Sequence, residues 1–319
     1  MRVVALSVDR LLPAIFHGRV VAANDRTLSI RTSDDDLVTL AVPGLCNGPN
    51  RARLDLPPTA AMRDFLGPCE GATAERRGQL LRVGPDLEVD LAGAELWPAG
   101  SWPSETTETP SPAHGQPSLG RCGGSPGRTA LQGQERKPWG EEPDAALEPS
   151  SDRWPEGRRR ALRRSVDMAE AAMRGDESAF LSHARSIVGL GPGLTPSGDD
   201  LLVGFLAAGL AWPDSLAARM APLLRATLPS WLPRTGFVSG AYLRFAVQGR
   251  LDEAVSSAAS ALSAATRSSG ATGATGSLFT AHCSLLLKYG HTSGEDIALG
   301  ILLGLGIRPD ALPWEVTNC

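Results

Sequence analysis

Across residues 1–98, apolar positions alternate with polar ones in short runs broken by turn residues, the period of two that a half-buried strand requires. Strands are predicted over 19–23 and 27–32 around Asn24-Asp25, over 37–42, and over 79–83 and 87–91 around Gly84-Pro85-Asp86. Short strands at this density predict a small β barrel or sandwich. A brief helix is expected over 59–66.

After residue 154 the apolar period lengthens to that of helices. Helices are predicted over 158–174, 177–188, 200–211, 215–227, 235–248, 251–266, 276–288 and 295–305, enough for a compact bundle. The fold class expected is therefore α+β, a small N-terminal β barrel or sandwich followed by a C-terminal α-helical bundle. Between them, residues 99–155 are rich in Gly and Pro and nearly empty of large aliphatic side chains, so they cannot bury a core. Three parts follow: a β-rich domain over 1–98, a disordered insertion over 99–155 with Trp102, Trp139 and Trp154 in the spacer, and an α-helical domain over 156–319.

One motif occurs twice. Ser197-Gly198-Asp199-Asp200 returns as Ser293-Gly294-Glu295-Asp296, each time opening an apolar, glycine-spaced helix. Ser followed three residues later by Asp reads as a capping box, with the hydroxyl on a free N–H of its own helix. Capping accounts for one acid per copy but not readily for two. Gly204, Gly209, Gly300 and Gly304 sit inside these helices, where each costs about 0.5–1 kcal/mol relative to Ala. Close helix approach would offset that cost. A crossing at these glycines would bring Asp199, Asp200, Glu295 and Asp296 together, and four carboxylates in one place require a cation or a shared proton.

The first copy has a lead-in, Gly189-Leu190-Gly191-Pro192-Gly193-Leu194-Thr195-Pro196, whose glycines permit close backbone approach to an anion. Asp199 and Asp200 would repel a bare phosphate there. A hard divalent cation between them removes the conflict, and Mg²⁺ is the ion expected. Three readings stand: a metal-bridged anion, capping with tight helix packing, and direct anion binding.

The glycine loop with its Asp-Asp pair, Thr235, the glycines Gly240 and Gly249, and the closing Thr292-Ser293-Gly294-Glu295-Asp296 with Gly300 resemble the bacterial domain family that contains the AllH subunit of oxamate carbamoyltransferase. The resemblance covers residues 1–98 and the chain from about residue 160 onward. It implies a part in anaerobic purine (allantoin) breakdown, in which oxalurate and phosphate give oxamate and carbamoyl phosphate with two other subunits required. Glu295 departs from the first copy, where Asp199 stands.

Composition narrows the alternatives. With 319 residues and a formal net charge of −4, the chain lacks the basic excess of a nucleic-acid binder. The one basic run, Arg158, Arg159, Arg160, Arg163 and Arg164, reads as a solvated helix face. No apolar stretch approaches the ~20 residues that span a bilayer, and Asp9 and Arg10 interrupt the N-terminal apolar run before it makes a secretory signal. Five cysteines without a regular spacing suit a reduced, cytoplasmic protein, and the histidines form no zinc pattern with them.

No GxSxG elbow or spaced Ser/His/Asp set is present. Carbamoyl transfer needs no enzyme nucleophile, only positioning and charge stabilisation. The candidate catalytic residues are Asp199, Asp200 and Arg234, with Arg244 a second cation for a carboxylate or phosphate. Substrate contacts are expected from Gly191, Gly193, Thr195, Ser197, Gly198, Thr235, Thr292, Ser293 and Gly294. Metal ligands are expected from Asp199, Asp200, Glu295 and Asp296. The expected partners are a small anionic substrate and other subunits of a carbamoyltransferase. The alternatives are a noncatalytic anion-binding or assembly subunit and a metal-dependent hydrolase.

Overall fold

The computed structural model describes residues 1–57, 61–62, 70–98, 154–269, 286 and 292–307. The strands are β1 (Arg2–Asp9), β2 (Ile15–Ala23), β3 (Thr27–Thr32), β4 (Leu37–Ala41), β5 (Arg51–Leu54), β6 (Thr73–Arg77), β7 (Leu80–Val83), β8 (Leu87–Asp90) and β9 (Glu95–Trp97). Their order is β5-β4-β3-β2-β6-β7-β8-β1, and an antiparallel β1–β5 pairing closes the ring into an eight-stranded barrel. β9 adds to β1 in parallel. Of the two shapes expected from sequence, the barrel is the one formed.

Local chemistry sets the turns. Asn24 accepts hydrogen bonds from the backbone N–H groups of Arg26 and Thr27, a side-chain mimic of a turn. Gly84 takes φ +58° between β7 and β8, where only glycine enters without strain. Along β1, Val3, Ala5 and Val8 point inward while Val4 and Leu6 face out, and an irregularity between Ala5 and Ser7 shifts the alternation. That apolar run, set aside above as a signal, is a stave of the barrel.

β4 departs from the expected alternation, since all five of its residues are buried. Val38 and Leu40 fill the barrel, while Leu37 packs outside it against Ala241 and Phe245 of a helix. A strand covered on both faces has no solvated side to carry polar residues. The helix expected over 59–66 and the one expected over 276–288 lie mostly outside the described residues, as does the insertion apart from Trp154 and Pro155.

The helices are α1 (Glu156–Met173), α2 (Glu177–Ile187), α3 (Ser197–Ala211), α4 (Leu216–Thr227), a 3₁₀ turn (Leu228–Arg234), α5 (Phe237–Val247), α6 (Glu253–Ser269) and α7 (Ser293–Gly304). Asp176 and Ser215 cap α2 and α4 through their side chains. α3 is the axle of the bundle. Every residue from Ser197 to Gly209 is buried, an all-round apolar pattern that marks a helix enclosed by others. α7 lies tightest against it. A β-carbon on Gly204 would stand 2.0 Å from the carbonyl oxygen of Ile297, and one on Gly300 would stand 2.1 Å from that of Leu201. The expected crossing is made, with each helix offering a glycine to the other's backbone. No single described helix is long and apolar enough to cross a membrane.

Barrel and bundle share a polar seam. Arg51 of β5 donates to Asp252 at 3.0 Å with both side chains buried, and Arg250 donates to Asp9 of β1 and to Asn50, each at 2.8 Å. Arg244 donates to the carbonyl of Asp35. The cation proposed for substrate at that position is therefore a strut between bundle and barrel.

Candidate functional site

The α3–α7 crossing brings the two motif copies face to face. Neither serine caps its own helix: the N-cap positions are Pro196 and Thr292, and neither start has a side-chain cap. This overturns the capping box. The partners are exchanged instead, with Ser293 of α7 hydrogen-bonding Asp200 of α3 and Ser197 of α3 hydrogen-bonding Asp296 of α7. Thr195 also bonds Asp200, and its hydroxyl lies 2.9 Å from that of Ser293. Helices that approach this closely leave each serine nearer to the opposite acid than a cap geometry would allow.

Asp199 is separated from this exchange. One of its oxygens accepts from the backbone N–H of Gly189 at 2.8 Å, and the other from the hydroxyls of Thr235 and Ser239, the latter at 2.6 Å. With 1% of its surface exposed, it ties the glycine loop and the start of α5 to the start of α3. Those bonds engage both oxygens, so Asp199 is a positioning acid here rather than a free ligand.

The cation paired with the acids of the second copy is Arg158. Its Nε donates to Asp296 at 2.8 Å and its Nη2 to Glu295 at 2.6 Å, and only 4% of it is exposed. The ring of Trp154 covers its guanidinium at 4.1 Å, a stacking that desolvates the charge further. Reading the basic run as a solvated face fails for this residue. Arg158 lies on the same helical stripe as the buried Ala161, Ser165, Met168 and Ala172, so the periodicity of α1 held the signal. Trp154 likewise belongs to the site and not to the spacer. Ser239 was missed, because nothing local marks it.

Burial raises the Asp200 carboxyl well above the ordinary carboxylate range; the Asp296 and Asp199 charges add to this, while bonds from Ser293 and Thr195 oppose it. Asp296 is raised to about 6, chiefly by burial, with Arg158 and Ser197 pulling it back. One oxygen of each, Asp200 Oδ2 and Asp296 Oδ2, is buried without a hydrogen-bond partner. The starts of α1, α3 and α7 gather around these acids, and helix N-termini favour negative charge.

The glycine loop closes one side. Gly189, Gly191 and Gly193 take φ of +74°, +127° and +96°. A β-carbon on Gly189 would meet the carbonyl of Arg234 at 2.3 Å, and one on Gly191 would meet the N–H of Ser197 at 2.7 Å, so these two glycines are packing positions. Gly193 opens onto free space. Gly198 is packed against the carbonyl of Ile187, 1.9 Å from where its β-carbon would be. Gly294 is buried in the first turn of α7, and Thr292 is half-buried just before it. Thr235 is spent on Asp199, and Arg234 is exposed at the end of the 3₁₀ turn, touching the loop through its backbone.

Among the described residues, no group of three or more His, Cys, Asp or Glu side chains is placed to hold a metal ion. Asp199 is engaged by three donors and Glu295 by Arg158.

Residues 187–305 match the family model described as the oxamate carbamoyltransferase subunit AllH. The match spans the glycine loop through α7 and leaves the barrel outside, a narrower extent than the resemblance suggested. No curated protein and no solved structure matches the chain.

Proposed function

We propose, with that family match as premise, that the chain serves as an AllH-like subunit of a carbamoyltransferase, acting with other subunits on oxalurate or oxamate and on phosphate or carbamoyl phosphate. The observation that carries this reading is the meeting of the two motif copies. It gathers three helix starts, two unpartnered carboxyl oxygens and the glycine loop in one place. Such a site binds and orients. In carbamoyl transfer that is the larger share of catalysis, since fixing two reactants in line supplies what a nucleophile would otherwise provide. The open side at Gly193 is where the backbone approaches the anionic end of the substrate, with the helix starts favouring its charge.

No step is assigned to Mg²⁺, and Arg158 supplies the positive charge beside Glu295 and Asp296. Chelation of divalent ions is expected to leave the thermal transition of the chain unmoved. The assembly-subunit alternative draws on Asp199, whose bonds are all internal. The two readings separate in one assay: carbamoyl phosphate formation from oxalurate and phosphate by the reconstituted complex, coupled to carbamate kinase. Gly193→Val, which forces a branched residue into a positive φ at an open position, is expected to abolish turnover while sparing the fold. Equal rates with and without this subunit would rule out the role. Normal turnover by the Gly193→Val complex would leave assembly as its task.

A further inference from the structure

The arginines of the basic run differ in what they meet. Arg158 is buried on the acids of the second copy, and Arg159 and Arg163 pair with Glu156. Arg160 and Arg164 pair with no carboxylate among the described residues, and the bond Arg164 makes is to the Ser186 hydroxyl at 3.2 Å. Helical spacing places Gly157, Arg160 and Arg164 on one stripe of α1. At one end the stripe touches the glycine loop, where a β-carbon on Gly157 would stand 3.3 Å from Gly191. At the other it touches the last turn of α2 through Ser186. Arg160 lies between the two, exposed, beside the loop. A further cation reaches the loop from the 3₁₀ turn, since the Arg234 carbonyl packs against Gly189 and its exposed side chain pairs with no described carboxylate.

The loop itself presents an apolar tip. Pro192, Gly193 and Leu194 are exposed in succession, and Leu194, at 58%, is the only large hydrophobic side chain exposed among the described residues of the bundle. A single exposed leucine is ordinary. This one is held out by rigid backbone, because Gly189 and Gly191 sit at positive φ against their neighbours' main chain. Unpaired guanidinium groups around a fixed apolar side chain have the composition of a protein interface, an anchor with a charged rim. A phosphate or a nucleic acid would use the cations and gain nothing from Leu194. Glu156 and Asp167 on the same helix, and the formal net charge of −4, also oppose a polyanion.

Resting on the carbamoyltransferase reading, we propose that loop 192–194, rimmed by Arg160, Arg164 and Arg234, is the surface on which another subunit of the carbamoyltransferase docks. Charge complementarity gives the chemistry of that partner, an apolar socket for Leu194 edged by Asp or Glu. Seated there, it closes the open side at Gly193, so that the site lies between two subunits and is incomplete in this chain alone.

Sedimentation velocity of the full chain with the remaining subunits of the oxamate carbamoyltransferase, at low salt and at about 0.5 M NaCl, tests this. Association is expected to weaken with salt. Leu194→Asp is expected to loosen it at least about tenfold, the scale of a lost interface anchor. Arg160→Glu is expected to loosen it more at low salt than at high. Arg82→Glu makes the same charge change on the barrel, at a side chain 64% exposed, and is expected to leave association unchanged. Circular dichroism and the thermal transition show that each variant is folded. Should Leu194→Asp fail to fold, Leu194→Ser beside Arg160→Glu decides the matter. Parental association by folded Leu194→Asp and Arg160→Glu overturns the proposal. Self-association of the chain through Leu194, or binding of a duplex oligonucleotide that Arg160→Glu abolishes, gives the surface another occupant and overturns it as well. A complex that makes carbamoyl phosphate equally well with both variants retains the function and loses the inference. Leu194-dependent association with no carbamoyl phosphate formed does the reverse.

Discussion

Asp200 shows how a single burial changes what an acid contributes. Its folded carboxyl lies well above the unfolded value near 3.8, and that of Asp296 lies at about 6. Between the unfolded and folded values the native state holds more protons than the unfolded chain, so stability falls as pH rises. For Asp296 the loss runs from about pH 4 to about 6, and for Asp200 it begins at the same point and continues well beyond. Asp200→Asn removes the titrating group and keeps its shape. The variant is expected to be at least as stable as the parent at neutral pH and to have a flatter stability profile above pH 6, as read by urea unfolding at pH 5 and pH 8. Parallel profiles for the two proteins would contradict the burial argument. Arg158 carries the opposite prediction. Arg158→Met strands Asp296 without its cation at a cost of about 3–5 kcal/mol. Adding Asp296→Asn to that variant is expected to recover part of the loss, a coupling that a double-mutant cycle measures.

At the level of elements, the glycines of α3 and α7 matter more than their helix propensity. Gly204→Ala gains up to about 1 kcal/mol of propensity. Its new methyl must nonetheless displace the Ile297 carbonyl, now 2.0 Å from that site, and overpacking of this kind costs about 1–3 kcal/mol. The expected net result is a lower melting temperature. Gly44→Ala is the control, since a β-carbon there meets nothing within 4 Å and no positive φ opposes it. A stabilised Gly204→Ala protein would show that the helices can part freely. The separation would also draw Ser197 and Ser293 away from the acids they serve, so the same substitution is expected to weaken any ligand binding at the crossing.

The whole molecule depends on a seam of charged groups between barrel and bundle. Arg51 and Asp252 are both buried, and Glu253 next to it accepts from Asn47 on the barrel side. Asp252→Ala takes the carboxylate away from a buried guanidinium, with an expected loss of about 3–5 kcal/mol. Because the two main cores are separate and share only the small Leu37, Ala241 and Phe245 cluster beside the seam, the barrel and the bundle are expected to unfold at different temperatures in that variant. Differential scanning calorimetry reads this directly, and a single unshifted transition would show that the seam does not couple the halves.

Local chemistry along the chain determined a good deal of this protein. Period and turn residues located five of the nine strands, the helices that can be compared, and the α+β order, because each rests on contacts within a few residues. The doubled motif and its helical glycines announced the crossing, since Gly inside an apolar helix has few other uses. Tertiary structure alone decided how the acids are satisfied. The serine caps are local by design and lost to partners 99 and 93 residues away, as Ser197 bonds Asp296 and Ser293 bonds Asp200 once the helices touch. Arg158 looked like its exposed neighbours because charge is visible in a sequence and desolvation is not. Its carboxylates stand 137 and 138 positions away. Closure of the barrel by β1 and β5, and burial of both faces of β4, likewise arise from surfaces that meet only after the chain has folded.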